Sequence, residues 1–485
     1  MKLKLYITIL SVVTLFTLHA QNANFKRTYG GNAYASGNSL VKTPDGGYLC
    51  VGSSSATATA TTDVYIFKTD SNGVHLWTKF YGGNNIDVAN HIVATPDNNY
   101  IVCGYTNTSG NGGYDVLLLK INGSGDTLWT RTYGGLDWDF GNEAYVSPTG
   151  SIYVSGQTFS YTNSGSGMLL KLDGNGNQQF IKTYGGPGEE SFSSLCPAFN
   201  NTIALAGFTD SYGGGKRDAY IIVADTNGVK LDSLINGGGE DDELNDINPA
   251  AGNGLLAGGY TKSIGPNQRQ DIFVLRADSV TDYLWNANFD GASLNAIFPA
   301  NNPSEYAVAG YSTNAQTGTP LTAFLWIGTS QPGAWLPNYC PFFNFNGRKE
   351  YINDVIKVPG GWCSIGTSEL HAPGLSSAIL MRLNNNLSDC TNPGVVLNTE
   401  EDKAGLKGIK LFPNPSTGTI TFSLANKAKN LSLIVYNAVG QEVFNKTYNG
   451  AQQVEEDFSN LGNGLYQARI TADGKYSAQT FIIAK

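Results

Sequence analysis

The chain has 485 residues, of which 14% are charged, with 59 glycines and a formal net charge of −9. Glycine is about 12% of the chain against a usual ~7%, and charged residues fall well below the usual ~25%. Few helix formers and many Gly, Thr, Asn and Tyr point to all-β structure, while the acidity argues against a nucleic-acid partner, which would need a basic face.

The N-terminus reads as an export signal. Lys2 and Lys4 precede an apolar run from Leu5 to Leu18, and Ala20 offers a small residue for cleavage, which sets a signal peptide over 1–20. The run is too short to span a membrane, and no later segment approaches the ~20 apolar residues a span needs, so no transmembrane segment is expected in the mature chain.

A seven-residue phrase then recurs: FKRTYGG (25–31), WTKFYGG (77–83), WTRTYGG (129–135) and FIKTYGG (180–186), with final glycines 52, 52 and 51 residues apart. Fainter copies end near Gly239, Gly291 and Gly347. Each unit holds four apolar runs of strand length, as in 88–96, 99–106, 114–122 and 126–134, parted by turns rich in Pro, Asp, Asn and Gly. No segment shows a 3.6-residue apolar period. Four antiparallel strands in ~50 residues, repeated, make one blade of a β-propeller. A glycine closing each second strand recurs at 52, 104, 156, 207, 259, 310 and 366, which counts seven blades over about 22–390. The chain opens with an orphan fourth strand (25–31), and the seventh unit stops after its third (377–385). The two are expected to pair antiparallel and close the ring, removing an open edge.

Residues repeated in every unit belong to the scaffold. Trp77, Trp129 and Trp285, with Phe180 in the same place, are expected to fill the gaps between blades. The paired glycines are expected where no Cβ fits. Asp63, Asp115, Asp218 and Asp271, opening third strands, are read as turn caps. Six cysteines in an exported chain invite disulfides, yet Cys50 and Cys103 fall on opposite faces of equivalent strands. Buried thiols are expected, with Cys340–Cys390 the pair to test. Four histidines are too few and scattered for a zinc cluster, and no G-x-S-x-G, C-x-x-C or phosphate-cradling loop occurs, so no catalytic residue is assigned.

Function is then sought where the copies diverge. The loops after the Gly-Gly turns carry Asp87; Asp137, Asp139 and Glu143; Glu189 and Glu190; and Glu240, Asp241, Asp242 and Glu243, with no Lys or Arg among them, whereas Arg348 and Lys349 follow Gly347. These acids are expected to form a crescent on one side of the ring's loop face. Glu240, Asp241 and Asp242 are the candidate ligands for a cation such as calcium. Asp137, Asp139, Glu189 and Glu190, with the flat side chains of Trp138 and Phe140, are the candidate ligand-binding residues. Acidic loops kept hydrated for solubility account for the same pattern.

After Cys390 the repeats end. A polar stretch (391–408) reads as a linker, and alternating strands over 409–485 read as a small Ig-like β-sandwich. There LFPNPSTG (411–418), YNAVGQEVF (436–444) and LGNGLYQARI (461–470) closely resemble the type A C-terminal sorting domain of the type IX secretion system of Bacteroidetes-type bacteria. That resemblance implies export across the outer membrane, the secretion machinery as partner of the tail, and a cargo released or held at the cell surface. The repeats themselves resemble Gly-rich bacterial seven-bladed propellers. Together these features describe a secreted or surface-displayed binding scaffold for an extracellular glycan or protein. A polysaccharide hydrolase or lyase, and a structural or adhesion component, stand as alternatives.

Overall fold

The computed structural model describes residues 24–485 apart from 31–33, 56–60, 163, 251–253, 264–269, 278–282, 288–291, 300–304, 314–319, 330–334, 342–349, 370–375, 386–408, 438–441 and 473–474. The signal peptide, the linker, Arg348, Lys349 and Cys390 (hence the Cys340–Cys390 pair) lie outside the described residues.

The repeat folds into seven antiparallel sheets. Blade two is typical, with Asp87–Ala94 innermost, then Tyr100–Thr106, Asp115–Ile121 and Thr127–Tyr133 outermost. In blade one the innermost strand is split into Tyr34–Ala35 and Ser39–Lys42. Blade seven takes three strands from Glu350–Asn384 and its fourth from the start of the chain: Phe25–Tyr29 pairs antiparallel with Ser377–Asn384, in register Phe25 with Arg382 and Tyr29 with Ala378. The orphan strand therefore closes the ring as its sequence required.

There is no single core. Each of seven apolar clusters lies between two neighbouring blades, as where Leu49, Val51 and Ile66 of blade one meet Ile92, Val102 and Leu117 of blade two. Middle strands are apolar on both faces because each sheet is covered by a neighbour on either side. Cys50 faces the cluster between blades seven and one and Cys103 the cluster between two and three; both are free thiols, as are Cys196 and Cys363.

The recurring phrase is a clamp from one blade to the next. Trp77, Trp129 and Phe180 pack over the left-handed glycine of the following blade's outer turn, at Gly125, Gly176 and Gly228, and Phe25 does the same at Gly73. A Cβ on Gly125 would lie 2.7 Å from the Trp77 ring, and at φ +77 would be strained besides. The tyrosine of each phrase donates its hydroxyl to the carbonyl of that same glycine: Tyr29 to Gly73 at 2.6 Å, Tyr133 to Gly176 at 2.6 Å, Tyr184 to Gly228 at 2.9 Å, and Tyr81 to Gly125.

A second set of contacts runs around the inner strands. Each of these strands bulges at one residue, and in blade after blade that residue is asparagine. Asn90 donates to Gly141 O at 2.9 Å, Asn142 to Phe192 O at 3.0 Å, Asn245 to Leu294 O at 2.7 Å, Asn295 to Ile352 O at 2.9 Å and Asn353 to Gly37 O at 2.9 Å. Asn38, between the two pieces of blade one's inner strand, donates to Ala89 O at 2.8 Å. Blade four has Ser193 at the bulge. A bulge frees a carbonyl from its ladder, and the neighbouring amide satisfies it.

The tail forms two small sheets. Lys410–Phe412, Thr419–Ser423 and Gln453–Asp457 make one; Glu442–Asn449, Asn430–Asn437, Gly464–Ala472 and Lys475–Ile483 make the other. Phe422, Phe458, Phe481, Leu433 and Ile470 share one core of their own, which gives the small β-domain expected.

Closure through the termini has a direct test. A chain lacking 22–31 leaves the third strand of blade seven unpaired and strips Phe25 and Tyr29 from the cluster between blades seven and one. Its melting temperature is expected to fall by at least about 5 °C; unchanged melting would contradict the pairing.

Candidate functional site

The loops between blades and those between second and third strands share one side of the ring. Apart from the exposed Asp137, the acids placed there by sequence divide into three groups with different surroundings.

The first group is interior. Asp87, Asp139, Glu190 and Asp242 open the inner strands of blades two to five and are at most 3% exposed. Asp139 accepts from the hydroxyls of Thr158 and Ser160 (2.6 Å to Ser160) and from the Gly135 N–H at 2.8 Å. Asp242 does likewise with Thr261, Ser263 (2.6 Å) and Gly238 N–H (2.8 Å), and Glu190 takes Thr209 at 2.9 Å and Gly186 N–H at 3.2 Å. These carboxylates pin the Gly-Gly turn to the adjoining loop. They leave Asp139, Glu190 and Asp242 no surface to offer a ligand, which corrects the crescent expected from sequence. The first glycine of each pair is required because its neighbour space is filled by carboxylates, such as Asp115 and Asp139 around Gly134. Asp115 accepts the N–H groups of Asn111 at 3.0 Å and Gly112 at 3.3 Å, and Asp218 that of Gly214 at 3.2 Å, the capping role expected of them.

The second group is paired. Glu240 meets Lys216 at 2.6 Å, Asp241 meets Lys262 at 2.9 Å, and Arg217 lies between Glu243 at 2.9 Å and Glu189 at 3.4 Å. The acidic loops contain no cation, but the loops beside them supply Lys216, Arg217 and Lys262. Glu240, Asp241 and Asp242 thus turn to three different partners, and among the described residues no three His, Cys, Asp or Glu side chains form a metal-holding group. The calcium site read from these residues is not supported by their geometry.

The third group lines the ring's axis. The residue after each bulge runs Ser39, His91, Glu143, Ser194, Asp246, Ala296, Asp354, and side chains there bond to the next blade. Ser39 donates to Asp354 at 2.8 Å and Ser194 to Asp246 at 3.0 Å, while Asp354 and Asp246 accept the N–H groups of Leu40 at 3.1 Å and Ile297 at 2.8 Å. Burial pushes all three carboxyls up, Asp246 to about 7 and Glu143 well above the carboxylate range, and the like charges of Asp246 and Asp354 add to it at Glu143. Burial also pulls His91 down to about 4; its Nε2 lies 3.6 Å from Glu143, the two side chains being 23% and 22% exposed. Glu143, placed by sequence in the loop crescent, belongs to this axial belt.

What remains open on the loop face is aromatic. Trp138 is 51% exposed, with Leu136 at 88% and Tyr161 at 48% beside it in sequence or on the next loop. Its ring stands edge-on to Tyr114 at 6.0 Å, Phe140 at 6.4 Å and Phe159 at 6.4 Å, and Tyr105 packs behind Phe140 at 5.2 Å. The loop glycine Gly113 lies against the indole, where a side chain would collide. Asp137 is exposed next to Trp138, and Gln157 holds Glu189 at 2.8 Å on the adjoining blade. Sequence named Trp138 and Phe140; it missed Tyr105, Tyr114 and Phe159, which lie on other strands and loops and share no spacing.

With seven sheets closed on themselves, the class is a β-propeller carrying a small C-terminal β-domain. Residues 410–484 match the family of secretion system C-terminal sorting domains. The chain is a protein secreted by the type IX system, delivered across the outer membrane to the cell surface or the extracellular space, and its tail is the part that engages that machinery. No curated protein sequence matches the chain. Among solved structures it is similar to the extracellular domain of a putative hybrid two-component system protein from B. thetaiotaomicron (10% identity, TM-score 0.43, covering 94% of this chain and 56% of that one). It is also similar to the Neurospora crassa Pan2 WD40 domain (10%, 0.43, 73% and 89%) and to Sqt1 from Chaetomium thermophilum (13%, 0.43, 72% and 83%). Among the described residues no helix is long and apolar enough to cross a membrane.

Two outcomes follow from the geometry. A host expressing the chain without 410–484 is expected to leave it undelivered, scored by surface and medium fractionation; normal delivery would contradict the role of the tail. The axial carboxyls bind protons more tightly folded than unfolded. Their contribution is therefore complete below pH ~4 and is lost as pH rises through the folded values, near 7 for Asp246. His91 acts oppositely, losing its contribution as pH falls from 6.5 toward 4. Three carboxyls outweigh one imidazole, so the mature chain is expected to be more stable at pH 5 than at pH 8 by on the order of 1–3 kcal/mol. Asp246→Asn should flatten that slope, and greater stability at pH 8 would contradict the assignment.

Proposed function

We propose that the propeller is a surface or secreted binding module whose loop face holds an extracellular glycan against Trp138. The observation that carries this reading is the contrast among the aromatics. Trp77, Trp129 and Phe180 are half-buried in blade-to-blade clamps, whereas Trp138 stands half in solvent on a rigid base of four other rings. Large exposed aromatics cost solvation and mark recognition surfaces. A flat indole suits the C–H face of a sugar ring, the exposed Asp137 beside it can accept a sugar hydroxyl, and Phe140 completes the platform, while Gln157 and Glu189 hold each other on the adjoining blades. Asp139 and Glu190 serve from beneath, fixing the loops that carry Trp138 and Glu189.

The axial carboxyls favour a second reading, hydrolysis of a polysaccharide, because a raised carboxyl beside another is what general acid catalysis uses. Against it, each carboxylate of the belt already accepts a backbone N–H from the next blade.

Glycan and polypeptide arrays probed with the mature chain and with Trp138→Ala separate these. Binding to a glycan, weakened at least about tenfold in Trp138→Ala with unchanged melting, is expected. Equal array signals for the two proteins would overturn the assignment, and hydrolysis lost in Glu143→Gln would establish the second reading.

A further inference from the structure

Blade four breaks the repeat on the side of the ring opposite the Trp138 patch. In blades one to three a lysine of the third strand (Lys68, Lys120, Lys171) faces an aromatic residue of the outer strand (Trp77, Trp129, Phe180). Each of those rings has a cation over it: Lys79 at 5.7 Å, Arg131 at 5.9 Å and Lys171 at 5.9 Å. In blade four the corresponding pair is Val223 and Asp232. The ring is gone, and a carboxylate stands in its place.

The turn beside it departs as well. Blades one and two use Thr-Pro-Asp turns whose aspartate holds the lysine, Lys68 to Asp45 at 2.5 Å and Lys120 to Asp97 at 2.8 Å. Blade four has instead the 3-10 turn Phe199–Asn201, with Asn200 and Asn201 left-handed at φ 54 and 59. Between this turn and the start of the outer strand lies a cleft of about 470 Å³, within the range of small-molecule sites. Phe199, Val223 and Leu231 give it apolar walls, and Asp225 and Asp232 give it two carboxylates. Asp225 is kept ionised by the N–H groups of Val229 and Asn227, both at 2.8 Å. Lys171 reaches the same turn from blade three, where it donates to Thr226 O at 2.7 Å.

We propose that this cleft binds a flat organic cation of the guanidinium or amidinium kind. Such a group restores from outside the ring and cation that blades one to three supply from within: its faces lie on Phe199 and Leu231, and its N–H fork meets Asp232 and Asp225. The site is independent of the glycan reading.

The test is calorimetry of the mature chain with benzamidine, against the neutral isostere benzamide, and with Asp232→Asn and Asp232→Trp. Benzamidine is expected to bind, benzamide roughly tenfold or more weaker, and both variants to lose roughly tenfold or more. Asp232→Trp refills the cleft with the repeat's own ring and should melt no lower than the parent. No binding of benzamidine to the parent, equal affinity for benzamide, or full affinity in folded Asp232→Asn would each overturn the proposal. The last measurement decides the matter even if the Trp variant fails to fold.

Discussion

A β-sheet satisfies its backbone only within itself, so seven separate sheets are not yet one structure. Here the sheets are joined by side chains that donate to a carbonyl of the next blade. At the rim the phrase tyrosine reaches the turn glycine, and at the axis the bulge asparagine reaches the neighbouring inner strand. Both carbonyls lie where the local ladder does not use them, so each bond satisfies a group that would otherwise be costly to bury. Removing the phrase tyrosine from one blade weakens two; in blade four, where the phrase has decayed, Asn236 stands in the tyrosine's place.

The same economy of contacts explains the buried acids. A carboxylate inside a protein must be bonded or neutralised. The interior loop acids are bonded, each by a Thr or Ser hydroxyl together with a glycine N–H or, at Glu350, by Ser368 and Lys26. The axial acids are bonded as well, Asp246 by Ser194 and the Ile297 N–H and Asp354 by Ser39 and the Leu40 N–H, but they stand near one another, and burial and mutual repulsion raise them. One set fixes loop geometry; the other makes the inner ring responsive to pH.

With the scaffold residues accounted for, what differs from blade to blade becomes readable. Trp138 and its supporting rings occupy the loop face between blades two and three. The Val223–Asp232 pair and its cleft occupy the other side of blade four. The C-terminal domain has a core of its own and is matched as a sorting domain over 410–484. Delivery and recognition are thus carried by different parts of the chain.

By itself the sequence determined the blade count, the strand order and the closing strand, because these depend on local alternation and on a period that any copy reveals. It also identified the tail, whose motifs are contiguous. The roles of the acids were decided only in three dimensions. Asp139 and Asp137 are two residues apart and Glu143 four further on, yet one is buried under a turn, one is in solvent and one faces the axis. Strand alternation and a bulge separate them, and neither can be read from composition. Lys216, Arg217 and Lys262 reach the acidic loops from other connections, so a loop-by-loop charge count could not see them. The aromatic platform under Trp138 draws on two blades, and the cleft on blade four is lined by Asp232, which stands where three blades carry a ring. Contacts between residues distant in the chain are set by how the blades pack, and that packing is what the tertiary structure supplies.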